Sequence, residues 1–237
     1  MIKQAMILAA GTGTRLKPLT DSVPKALLKF RGKTMLEHVM NSLQRQGIEE
    51  VIVNIHHLGD QILDFLEKYA NTGLTIRISD ERDKLMDTGG ALVKARSFLE
   101  KSGPFLVHNI DIFSDIDFHK MYSFHTERAP LATLAVKNRK TSRNLLVDQN
   151  YRLRGWKNNI SGEEIRVDDT AQLRPVAFSG IHILDPDIFN FLPVEEPFSM
   201  TDAYLDLASK HKILTYDHSP DLWIDMAHPD NFPELNT

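Results

Sequence analysis

The chain has 237 residues, 42% apolar and 25% charged, with a formal net charge of −4 and no cysteine. That length is enough to bury a sizeable core, and this charge balance offers no global basic field for nucleic acid. The lack of cysteine excludes disulfides, thiolate metal sites and a cysteine nucleophile.

The opening run "MIKQAMILAAG" has one lysine and no cleavage-site pattern, so it reads as a first strand and not as a signal peptide. No segment approaches the roughly 20 apolar residues of a membrane span, and a cytoplasmic protein is expected. "QAMILAA" is a continuous apolar run, the mark of a strand buried on both faces. Leu36, Val39, Met40 and Leu43 fall at i, i+3, i+4 and i+7, predicting an amphipathic helix closed by Gly47. "EEVIVNI" predicts a second buried strand, and Leu58, Ile62, Phe65, Leu66 and Tyr69 a second helix ending near Gly73. "LTIRIS" predicts a third strand, "ALVKARSFL" after Gly89-Gly90 a third helix, "PFLVHNIDI" a fourth strand and "DFHKMYSFHTE" another helix. Alternation with short connections implies an α/β unit with a mainly parallel sheet. From about Leu131 the pattern changes: "LATLAVK", "LLVDQNYRLRGWK" and "VAFSGIHIL" read as strands joined by turns. Helices around Pro186–Leu192 and Met200–Lys210 follow, then "KILTYD" and "LWIDM". With no repeat or flexible linker, residues 1–237 read as one domain.

The stretch after the first strand does not fit the two familiar phosphate loops. A dinucleotide fingerprint needs a third glycine where Leu16 stands, and a P-loop needs Gly-Lys-Ser/Thr. Pro18 and Pro24 forbid an uninterrupted helix directly after the glycines. What remains is a loop of exposed backbone N–H groups around Gly11 and Gly13. It carries Arg15, a permanent planar cation, and Lys25, a mobile point charge. Together they match a triphosphate, which has a dispersed charge to hold and one phosphorus to be attacked. A solvated turn with surface cations is the bland alternative.

"LAAGTGTRLKPLTDSVPKALL" resembles the signature of the sugar-1-phosphate nucleotidyltransferases, roughly L-A-A-G-x-G-x-R-L-x-P-L-T-x-x-x-P-K-P-L. The similarity extends to "GKTMLEHVMNSL", "DTGGAL" and "WIDM", and so covers most of the chain. It implies a Rossmann-like three-layer α/β/α (GT-A-like) fold with a mixed, mainly parallel central sheet. It implies nucleotide binding by Ala9, Ala10, Gly11, Gly13, Thr14, Arg15, Thr88 and Gly89, and sugar-phosphate binding by Lys25, Asn109 and Gly180. The glycines of "MDTGGAL" would let backbone approach a flat ring, and Gly180 would leave room for the sugar.

Asp111 ends the apolar strand "PFLVHNID", at the carboxyl edge where α/β sheets place ligands. The resemblance makes Asp111 and Asp225 ligands of Mg²⁺, which keeps several waters and uses few protein carboxylates. Two departures stand out: Ile110 where relatives have glycine, and Ala227-His228-Pro229 where they often have Gly-Thr-Pro. The first is expected to put bulk against the substrate, the second to alter the loop beside the metal. They motivate a rival, a non-catalytic sugar-nucleotide sensor on the same fold. Asp115-Ile116-Asp117 is a D-x-D motif that suits a metal-dependent glycosyltransferase, although Asp117 also stands at a helix N-cap position. The pair His56-His57 near Asp60 does not make a metal site, since adjacent histidines point in different directions, and they read as loop histidines that line the sugar pocket or are exposed; Trp156 and Trp223 read as packing residues.

The expected reaction is transfer of a nucleoside monophosphate from an NTP to a sugar 1-phosphate, with pyrophosphate released. Arg15 would hold the β and γ phosphates, and Lys25 would bridge the α-phosphate and the sugar phosphate. The chain stops soon after "WID", without room for the C-terminal β-helix of longer relatives. It looks most like bacterial enzymes that use UTP with N-acetylmuramate 1-phosphate, or GTP with mannose or heptose 1-phosphates. One or two hydrogen bonds select the base.

Overall fold

The computed structural model describes residues 1–69, 73–101, 103–169, 172–194 and 197–232. The first half alternates: β1 (Gln4–Leu8), a short ribbon of β2 (Lys29–Phe30) and β3 (Lys33–Thr34), α1 (Met35–Arg45), β4 (Glu50–Ile55), α2 (Gly59–Tyr69) and β5 (Thr75–Asp80). It continues with α3 (Asp87–Lys94), α4 (Arg96–Leu99), β6 (Phe105–Asn109), β7 (Ile112–Ser114) and α5 (Phe118–Arg128). The second half contains β8 (Ala132–Lys137), β9 (Arg143–Val147), β10 (Leu153–Asn158), β11 (Glu164–Arg166), β12 (Arg174–Leu184), α6 (Met200–Ala208), β13 (Ile213–Asp217) and β14 (Trp223–Asp225).

Side-chain alternation along the strands builds two cores. Ala5 and Ile7 of β1 join one hydrophobic cluster and Met6 the other; β4 repeats this with Val51, Val53 and Ile55 against Ile52. Strands apolar on both faces need a covering layer on each. α1, α2 and α5 contribute Leu36, Ile62 and Met121 to the first cluster, while α3, α4 and α6 contribute Leu92, Leu99 and Tyr204 to the second. The result is the expected three-layer α/β/α arrangement. α1 shows the local logic: Thr34 Oγ1 accepts from Glu37 N at 3.1 Å and Thr34 N donates to the Glu37 carboxylate at 2.7 Å. That capping box starts a helix whose apolar stripe is buried.

The ten-stranded sheet runs β11-β10-β9-β12-β6-β1-β4-β5, with β8 pairing β12 and β13. β5, β4, β1 and β6 are parallel, as the crossover helices dictate. β12 then enters antiparallel to β6, β8 and β9, and its register with β8 shifts between Phe178 and His182. Parallel pairing thus holds for the first-half strands and for β8 with β13, and the sheet is mixed.

Several expected elements differ in detail. The third helix begins at Asp87 and includes both glycines, then divides at Ala95. The segment after Pro186 is a 3₁₀ turn over Pro186–Asn190. The strand "PFLVHNIDI" breaks at Ile110–Asp111, and its remainder, β7, leaves the main sheet to pair with β14. The end of the second helix between Tyr69 and Gly73 lies outside the described residues.

Candidate active site

Past Leu8 the chain forms three 3₁₀ turns, Thr14–Leu16, Leu19–Asp21 and Lys25–Leu27, the last two each preceded by a proline. Gly13 sits at φ +67°, and a Cβ there would stand 2.6 Å from Thr20 Cγ2, so glycine is required twice over. The N–H groups of Gly11, Thr12, Gly13, Thr14 and Arg15 have no acceptor among the described residues. Consecutive unpaired donors of this kind form an anion cradle. The N–H groups of Ala9 and Ala10 are not part of it, because both donate to Asn54 Oδ1, at 2.6 and 3.3 Å.

The break after β6 and the β7–β14 ribbon bring the two candidate metal carboxylates together. Asp225 pairs with Ile112 in that ribbon, and Met226 N donates to Asp111 O at 2.7 Å. Arg15 and Lys25 converge on the same place. Arg15 Nη1 lies 3.0 Å from Asp225 Oδ2, Arg15 Nη2 3.6 Å from Asp111 Oδ2, and Lys25 Nζ 3.1 Å from Asp111 Oδ2. One guanidinium thus lies between the two carboxylates. The end of the Lys25 side chain lies beside Gly11, where a Cβ would be 3.4 Å from Nζ, an ordinary contact.

Two concavities meet at Lys25. The larger, of about 400 Å³, is lined by Ala10, Gly11, Thr88, Asn109 and Asp111 among others. The smaller, of about 140 Å³, is lined by Gly13, Thr14, Arg15, Lys25 and Ala227. A third, of about 510 Å³, adjoins the first at Asp87 and is lined by Arg143, Asn144, Trp156, Phe178 and Asp202. Trp156, expected only to pack, therefore also forms a cavity wall.

Two glycine expectations change. The open side of Gly89 is filled by this chain's own Phe198, whose Cε2 would lie 2.1 Å from a Cβ there. Gly180, at φ +72°, gives way to the Asn109 amide, whose Nδ2 would be 2.8 Å from its Cβ. Asn109 lines the large cavity; Gly180 lines none of the three. Thr88 lies in the cavity wall and its hydroxyl accepts from Met200 N at 2.9 Å, tying α3 to α6.

Neither departure obstructs the site. Ile110 points into the first hydrophobic cluster and is fully buried, while its N–H donates to Leu8 O. After Asp225, Ala227 N donates to Asp225 Oδ1 at 3.0 Å and His228 caps a 3₁₀ turn over Pro229–Asn231. Trp223 anchors this ribbon: its Nε1 donates to Ser179 O at 2.9 Å and the Arg139 guanidinium stacks 4.0 Å over its ring.

The rival motifs have structural uses. Asp117 caps α5 by accepting from His119 N and Lys120 N, and Asp115 accepts from Leu222 N at 2.7 Å. His56 Nδ1 donates to Glu81 O and His57 Nε2 to Thr20 O. No group of three metal-ligating side chains occurs among the described residues. The sequence reading missed Asn54, Glu81, Leu85, Asp87 and Pro197, all of which line the large cavity. The available signal was Asn54, a lone amide in the apolar run "EVIVNI". Burial raises the Glu81 pKa, against the opposing hydrogen bonds from Asn54 and Met86.

Residues 4–237 match the nucleotidyl transferase family. Over 236 residues the chain is 30% identical to the N-acetylmuramate alpha-1-phosphate uridylyltransferase of Caulobacter vibrioides, covering 96% of this chain and 93% of that protein. It is 28% identical to the mannose-1-phosphate guanyltransferase of Yarrowia lipolytica, covering 97% of this chain and 62% of that longer protein. HddC from Yersinia pseudotuberculosis complexed with GMP-PN shares the fold at TM-score 0.77 and 23% identity, over 98% of this chain and 97% of that one. UDP-glucose pyrophosphorylase complexed with UDP-glucose does so at TM-score 0.77 and 19% identity, over 99% and 97%. The family match over nearly the full length and the uridylyltransferase relative agree with the cation-and-carboxylate cluster: the chain belongs to the nucleotidyl transferase family, as an enzyme of the sugar-1-phosphate nucleotidyltransferase type.

Proposed function

We propose that the chain transfers a nucleoside monophosphate from UTP or GTP to a sugar 1-phosphate, with Mg²⁺ held by Asp111 and Asp225. The observation that carries this reading is Lys25, which lines both the large cavity and the anion recess and pairs with Asp111. The nucleoside takes the large cavity and the β and γ phosphates the recess, where Arg15 and the free N–H groups of the glycine loop receive them. The sugar ring takes the third cavity, against Trp156.

An anionic oxygen of the sugar phosphate attacks the α-phosphorus in line. The new O–P bond forms as the bond to the β-phosphate oxygen breaks, and pyrophosphate departs. The nucleophile is already ionised, so no general base is needed, and catalysis reduces to positioning and charge neutralisation. Lys25 holds the attacking and attacked phosphates together, and Arg15 compensates charge on the leaving group. Two adjacent hard carboxylates suit Mg²⁺, which when bound neutralises phosphate charge. The choice of UTP or GTP follows the names of the uridylyltransferase and guanyltransferase relatives. The sensor alternative loses one of its two motives, because Ile110 lies in the core, while Ala227 of the other lines the smaller recess.

Pyrophosphate release tests the reaction, measured across UTP, GTP, CTP, ATP and dTTP against a panel of sugar 1-phosphates. One strong combination is expected, and Lys25→Ala should lower its kcat/KM by about a thousandfold or more with the fold intact. A folded, nucleotide-binding protein that is inactive in every combination, or a Lys25→Ala variant with near-wild-type turnover, refutes the reading.

A further inference from the structure

Asn54 and Glu81 stand at the carboxyl ends of neighbouring parallel strands, Asn54 within β4 and Glu81 just after β5. Both are buried, at 3% and 0% exposure, and both line the large cavity. A directed run of hydrogen bonds passes through them. Ala9 N and Ala10 N donate to Asn54 Oδ1, Asn54 Nδ2 donates to Glu81 Oε1 at 2.8 Å, and Met86 N donates to Glu81 Oε2 at 3.3 Å. One end is the root of the glycine loop. The other is the N-cap of α3, which carries Asp87 and Thr88 in the facing wall. The main chain of Glu81 is held as well, by Ile55 O and by the His56 ring.

Glu81 takes part in no salt bridge among the described residues. A buried carboxylate without a salt bridge is expensive, even with Lys94 acting on it from a distance, and a neutral side chain would ordinarily be the cheaper occupant. What a carboxylate supplies here is acceptors at both ends. A glutamine must present its NH₂ either to Met86 N–H or to the Asn54 NH₂, donor against donor. Turning the Asn54 amide to suit it would point that NH₂ at the Ala9 and Ala10 N–H groups instead. The acceptor-only side chain therefore sets the direction of the whole run.

We infer that Asn54 and Glu81 are positioning residues that lock the two walls of the nucleoside cavity at one separation and orientation, and so govern nucleotide affinity. This inference rests on the cavity taking the nucleoside. Glu81→Gln breaks the run at one end; Asn54→Asp sets two carboxylates against each other. The double variant Asn54→Asp with Glu81→Gln restores it in full. The new carboxylate at position 54 accepts from Ala9, Ala10 and the new amide at position 81, whose oxygen in turn accepts from Met86.

Calorimetric nucleotide binding, NTP and sugar-phosphate KM, kcat and Tm are measured for the wild type and the three variants. Each single change should weaken nucleotide binding by about 10- to 100-fold, with the sugar-phosphate KM and kcat within a few fold. The double variant should recover to within about threefold of wild type. Nucleotide binding unchanged in Glu81→Gln, or lowered Tm in the single variants with nucleotide KM unmoved, overturns the inference. So does a double variant weaker than either single one. A folded wild type that binds no nucleotide overturns the cavity reading, and the inference with it.

Discussion

Lowering the pH from 7.5 to 5.5 challenges a group of histidines sealed in the core. His108, His125, His182 and His218 are each 1–2% exposed. Burial pushes His108, His125 and His218 down to about 4 and His182 to about 3. Their hydrogen-bond partners are neutral: His108 Nδ1 donates to Asn109 O, His125 meets Thr133 Oγ1, His182 meets the Tyr204 hydroxyl, and His218 meets Ser179 Oγ. Asp111 raises the His108 pKa, and around His218 the cations Lys137 and Arg139 oppose Asp115, Asp217 and Asp221, but burial is the largest effect on each. The unfolded chain takes up these protons near pH 6.5, whereas the folded chain takes them up only near pH 4 or below. Stability from keeping them neutral is therefore complete above about pH 6.5 and drains as pH falls toward 4. At pH 5.5 each histidine costs on the order of 1 kcal/mol, on the order of 5 kcal/mol for the group. That is comparable to the roughly 5–15 kcal/mol that holds a domain together. Glu81 and Asp221, whose pKa values burial raises, work in the opposite direction but are two groups against four. Urea unfolding at steps between pH 7.5 and 5 should give a slope near pH 5.5 equivalent to two to about 3.5 protons taken up on unfolding. A slope below one proton refutes the reasoning.

Two further outcomes can be checked on purified variants. Arg15→Gln releases Asp225 Oδ2 and removes one of the two cations beside Asp111; nucleotide-free Mn²⁺ affinity, read by paramagnetic resonance, should rise by about tenfold, and weaker binding would count against those carboxylates as metal ligands. Gly89→Ala forces a Cβ within 2.1 Å of the Phe198 ring while Gly89 N stays bonded to Phe198 O. It should destabilise by about 1–3 kcal/mol, and much of that loss should vanish when Phe198→Ala is the background in a urea-unfolding cycle. Strict additivity would show that the ring is free to move aside.

What the sequence determined by itself was whatever depends on neighbours along the chain. Apolar runs and helical spacing placed β1, β4, α1 and α2. Pro18 and Pro24 ruled out a helix after the glycines, and short 3₁₀ turns stand there. The glycine-loop motif contained the two cations of the site, and the strand ends "VHNID" and "LWID" its two carboxylates, because chemistry restricts which residue types can serve. Direction and space were decided only in three dimensions. Ile110 looked like an obstruction until the break in its strand turned it into the core. Gly89 and Gly180 looked like openings for substrate until Phe198 and Asn109 filled them. Asp117 was legible as the N-cap it forms on α5, whereas the partner of Asp115, Leu222 N, was not. Asn54 and Glu81, 27 residues apart, carried no joint signal, since a hydrogen bond between parallel neighbours depends on which strands the crossover helices set side by side. Periodicity is local and legible in one dimension; the partner of a buried polar group is not, because only packing decides which atoms share a space closed to water.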